Sequence, residues 1–79
     1  MTSEEWRQEV EEAVALTGRA LRVSRTSCLP ETPNCWARIE DPSSGKVWIV
    51  ALPFERFSTR DERRRGLLVV LSSEGTREP

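Results

Sequence analysis

The sequence predicts an α+β domain, with an N-terminal helix packed on a three- or four-stranded, mainly antiparallel sheet in the order α-β-β-β-short α-β. Three observations predict it. Residues 4–17 repeat apolar side chains at three- and four-residue spacing. Residues 35–52 alternate in two runs around a cluster of turn residues. Residues 67–71, Leu-Leu-Val-Val-Leu, form an unbroken apolar stretch.

The helix over 4–17 has a start, a stripe and a stop. Thr2 and Glu5 have the spacing of a capping box. Glu4 and Glu5 lie in the first turn, where the helix dipole favours anions. Trp6, Val10, Ala13, Val14 and Thr17 make one narrow apolar stripe, and Gly18 suits a left-handed stop. A first strand follows over residues 20–26, with Leu21 and Val23 pointing one way and Arg22 and Ser24 the other. Residues 27–34 contain two prolines and read as a loop.

Residues 35–40 and 46–52 then form a hairpin about 41–45, rich in turn residues. Pairing Glu40 with Lys46 fixes every later pair. That register places Cys35, Ala37, Ile39, Val47, Ile49 and Ala51 on one face. The other face carries Trp36, Arg38, Glu40, Lys46, Trp48 and Val50, two indoles around one guanidinium. Pro53 ends the strand. Residues 54–65 form a connection in which Thr59 and Glu62 cap a short helix over 60–65, stopped by Gly66. A fourth strand is expected over 67–72, buried on both faces because it does not alternate. Residues 73–79 read as a polar tail.

The 79 residues make one domain, 1–79, with no internal repeat. A domain this small buries only about 60% of its unfolded surface, so a partner or a cross-link often adds stability. The net charge is −1, unevenly spread. Residues 1–18 carry five Glu and one Arg; residues 19–65 carry nine Arg and one Lys against four Glu and two Asp. An acidic helix beside a basic sheet suits self-association or a charged protein partner and argues against general DNA binding. No signal peptide or apolar run long enough for a membrane is read, so the expected location is cytoplasmic. Cys28 and Cys35 read as reduced thiols in such a setting, with a disulfide or a metal site shared across a dimer as the alternatives.

No catalytic pattern is expected. The chain has no His and no Tyr, no Gly-rich phosphate loop and no metal-ligand spacing, so neither cofactor nor metal is assigned. Two clusters are candidates for partner binding. Trp36, Arg38 and Trp48 could form a recognition face, or helix one could cover them as core with Trp6. Arg60, Arg63 and Arg64 lie in an arginine cluster with Arg56 and Arg65, tempered by Glu55, Asp61 and Glu62. Such mixed runs are usually solvated and salt-bridged, although this one could dock the acidic helix of a second subunit. The expected function is a small non-enzymatic regulator or adaptor that binds an unidentified protein and pairs as a homodimer through the fourth strand. The alternative is a nucleic-acid-binding regulator using the Trp/Arg face and the arginine cluster.

Overall fold

The computed structural model describes residues 2–28, 34–53 and 55–77. Met1, residues 29–33, Phe54 and residues 78–79, on which parts of the two loop readings and of the tail reading fall, lie outside the described residues. The order of elements is α1 (Ser3–Leu16), β1 (Arg22–Cys28), β2 (Asn34–Asp41), β3 (Lys46–Pro53), α2 (Arg60–Ser72) and β4 (Thr76–Arg77). The sheet is antiparallel with strand order β1-β2-β3-β4, three full strands extended by the two residues of β4. The α+β class and the order helix, three strands, helix are as expected; the corrections are the hairpin register and residues 67–72, which are helix where a strand was expected.

α1 begins as its sequence requires. The Thr2 hydroxyl accepts from the Glu5 amide at 3.1 Å, and the Glu5 carboxylate accepts from the Thr2 amide at 3.2 Å. The stripe Trp6, Val10, Ala13 and Val14 is buried against the sheet. Trp6 donates its indole N–H to the Trp36 carbonyl at 2.9 Å, so its polar atom is satisfied in the core.

The strand β2 runs one residue further into the turn than a Glu40–Lys46 closure would have it. Asp41 pairs with Lys46 across Pro42–Gly45. The Asp41 carboxylate accepts from the Ser43 amide and hydroxyl, its carbonyl accepts from the Gly45 amide at 2.9 Å, and Gly45 takes φ +73°. Asp41 therefore acts as the last strand residue and the anchor of the turn at once. One residue of register exchanges the faces of a strand. Cys35, Ala37 and Ile39 stay on the inner face, but their partners are Leu52, Val50 and Trp48. Trp36 and Trp48, expected on one face, lie on opposite faces.

The larger correction concerns residues 67–72. They are the second half of α2, which begins after the Thr59 cap and runs through Gly66 without stopping. Leu67 and Leu71, four residues apart, are fully buried, whereas Val69 is 69% exposed, a helical pattern of burial. Gly66 serves packing here. A Cβ at this position would sit 2.8 Å from Phe57 Cε1 and 3.4 Å from Leu52 Cδ2, so only glycine lets the helix come this close. A dimer through a fourth strand at 67–72 loses its basis, because that strand does not exist.

Both helices pack on the inner face. The core joins Trp6, Val10, Ala13 and Val14 of α1 and Leu67 and Leu71 of α2 to Cys35, Ala37, Ile39, Trp48, Val50 and Leu52. Of residues 73–79, read as a polar tail, the described part 73–77 returns to the sheet edge. Ser73 accepts from the Trp48 indole at 3.1 Å, and Thr76 and Arg77 pair with Val47 and Lys46. Cys28 and Cys35 are opposite one another on β1 and β2, with Cα atoms 4.2 Å apart, and form a disulfide. This replaces the reduced pair read from the sequence and leaves neither sulfur as a thiolate ligand.

Candidate binding face

Among the described residues, both helices lie on the inner face and none covers the outer face of the sheet. Trp36, Arg38 and Glu40 of β2 lie there, opposite Ala51, Ile49 and Val47 of β3. On β1, Arg22 pairs with Glu40, Arg25 with Arg38 and Ser27 with Trp36. The register slips between Val23 and Arg25, and this bulge turns Arg25 outward, two residues of β1 being set against one step of β2.

The face divides into two halves. The β3 half is apolar. Ile49 is 63% exposed, Ala51 is exposed, and Val47 is buried between its cross-strand neighbours Glu40 and Thr76. The β1 half is basic. The Arg25 guanidinium lies 5.8 Å from the centre of the Trp36 ring, a cation–π contact that fixes the half-buried indole between the two halves. Arg38 pairs with Glu40 and also contacts the Ser24 hydroxyl. Arg22, Arg25 and Arg38 against Glu40 leave this surface net positive, on a chain whose net charge is −1.

The remaining expected site residues are elsewhere. Trp48 is 4% exposed and belongs to the core, where Arg19 covers its ring at 5.1 Å and also donates to the Leu71 carbonyl near the end of α2. A cation there opposes the negative end of the helix dipole. Arg60, Arg63 and Arg64 lie on α2, on the other side of the molecule from Trp36, and face the acidic α1. Arg63 holds Glu9 through two bonds of 2.8 Å, with both side chains only about a tenth exposed. Arg60 and Arg64 share Glu12. The acidic helix that the arginine cluster was expected to meet on a second subunit is the chain's own. The Arg60 hydrogen bond holds the Glu12 carboxyl below its ordinary value, and Glu9 raises Arg63 further above neutrality.

These pairs line a shallow groove between the helices, bounded by Glu12, Ala15, Leu16, Arg60 and Arg64. Its one carboxylate is held as an anion by two guanidiniums, the opposite of the raised pKa a general acid requires. Among the described residues, no three metal-binding side chains are grouped to hold an ion, and no helix is long and apolar enough to cross a membrane.

Sequence reading found Trp36 and Arg38 but missed Arg22, Arg25, Ile49 and Ala51. The β3 residues follow from the correct register. Arg25 does not, because a bulge inside one strand leaves no clear mark in the alternation. The fold and face define a helix-backed antiparallel sheet with one open surface. No family model matches the chain, and no curated protein or solved structure is significantly similar to it.

Proposed function

We propose that this protein is a small non-catalytic interaction module that binds a protein partner through the outer face of its sheet. One observation carries the reading. The apolar stripes of both helices are buried on the inner face, the tail pairs with the edge of β3, and Arg60, Arg63 and Arg64 are held by α1, while Trp36, Ile49, Ala51 and the β1 arginines face outward. Trp and Arg are the residues most enriched at interface hot spots, and an apolar stripe beside a polar rim is the usual anatomy of such a surface. The cytoplasmic location, expected because no signal peptide or membrane-length apolar run is read, competes with the Cys28–Cys35 disulfide, which favours an oxidising compartment. Alkylating the protein from its own cells before and after reduction decides between them.

The nucleic-acid reading keeps one supporting observation, the Trp36 ring with arginines around it. Only one indole lies on this face, whereas strand binding through stacking draws on successive aromatic platforms.

The test is site-directed photo-crosslinking in the producing cells. A photoreactive side chain at Ile49 should give a protein adduct, and one at the exposed Val69 of α2 should not. A nucleic-acid adduct at Ile49 would favour the second reading. Equal protein adducts at both positions would refute the assignment of the face.

A further inference from the structure

Resting on that reading, we infer that the occupant of the outer face is an amphipathic helix with an acidic flank, contributed by a different protein. The argument is charge and shape complementarity. The face is a strip of apolar residues, Ile49, Ala51 and the Trp36 edge, running beside a row of arginines, Arg22, Arg25 and Arg38. A helix about 10 Å across covers two strands of a sheet spaced about 4.8 Å apart. Laid along β2 and β3, its apolar stripe meets Ile49 and Trp36, and one flank falls on the arginines. Carboxylates on that flank would pair with Arg22 and Arg25, which make no ion pair among the described residues.

The molecule already contains this solution on its other side. α1 turns an apolar stripe to the inner face and sets Glu9 and Glu12 against Arg63, Arg60 and Arg64. A second copy does not satisfy the outer face in the same way. If two copies pack face to face with a twofold axis along the strands, arginines lie over the apolar strip. With the axis across the strands, arginines lie over arginines. Neither arrangement gives Arg22 and Arg25 a carboxylate from the described strands, since among the described β1–β3 residues of this face Glu40 is the one acidic side chain and it pairs with Arg38.

The experiment titrates the full chain, disulfide intact, and follows amide NMR shifts. The probes are a stapled helical peptide of about 15 residues with Leu on one face and Glu on its flank, the same peptide with Lys for Glu, and oligothymidylate. The acidic peptide should shift the amides of residues 22–27, 36–38 and 49–51 and leave α1 and α2 unmoved. The double variant Arg22→Glu/Arg25→Glu, checked for fold by circular dichroism, should weaken that binding by about tenfold or more and gain affinity for the Lys peptide. No shift at about 1 mM peptide, or equal binding of both peptides, overturns the inference. Concentration-dependent shifts of the outer face in the protein alone would replace the acidic helix with a second copy, leaving the protein-binding reading standing. Preference for oligothymidylate would overturn both.

Discussion

The Glu9–Arg63 pair is where a single side chain matters most. It is bidentate, about nine-tenths buried, and it joins the two helices across 54 residues of sequence. Glu9→Gln removes the carboxylate that Arg63 grips at both oxygens, and loss of one member of a buried pair costs roughly 3 kcal/mol. The urea midpoint should fall accordingly, and Glu9→Leu/Arg63→Met should recover most of the loss. Exposed Glu12 behaves differently. Its pairing with Arg60 lowers its pKa, as hydrogen bonds at Thr2 and Ser43 lower those of Glu5 and Asp41. All three bind a proton less readily in the folded chain, so the unfolded chain takes up protons first as pH falls. Their contribution is complete above the ordinary carboxylate pKa of about 4 and is lost as pH falls through the depressed values. Urea midpoints measured from pH 6 downward should hold until about pH 4 and then decline. Added salt should shrink the Glu12 part of that decline.

Among the elements, α2 and the hairpin show what a sequence conceals. The Thr59 cap and the apolar run at 67–71 were both visible, but Gly66 between them read as a stop. Its role depends on Phe57 and Leu52, residues no local pattern connects to it. Gly66→Ala therefore sets two effects against each other. Alanine favours a helix interior by about 1 kcal/mol, while a methyl pressed against the Phe57 ring costs about 1–3 kcal/mol. The variant should melt lower than the parent, and in a Phe57→Ala background the same change should raise the melting temperature. If Gly66→Ala stabilises the parent chain, the close approach is not what selects glycine. The hairpin was legible to within one residue, and that residue decided the faces. Asp41 carries both a strand pair and a turn anchor, and composition alone counts it with the turn.

For the whole molecule, class and order were legible because the amphipathic stripe of α1 and the alternation of β2 and β3 are local signals. The open face was legible only in part, since it depends on a register, a bulge at Val23–Arg25 and the decision of two helices to share one side. The disulfide was open for a related reason, because spacing does not bring Cys28 opposite Cys35; strand pairing does. Closing a loop with separation 7 should contribute about 2.5 kcal/mol through the unfolded chain. Cys28→Ser/Cys35→Ser should therefore unfold at lower urea yet keep the same far-ultraviolet spectrum, since α1, α2 and the remaining core pairs do not need the bond. A variant without helical signal would show instead that the cross-link is a condition of folding. The same bond makes residues 28–35 a covalent ring within the chain. A protease that cuts inside the ring divides the sequence but not the molecule, and the halves part only under reductant on a denaturing gel. Foreign peptide spliced into that ring would be displayed from a base already stapled shut, at the opposite end of the hairpin from Pro42–Gly45.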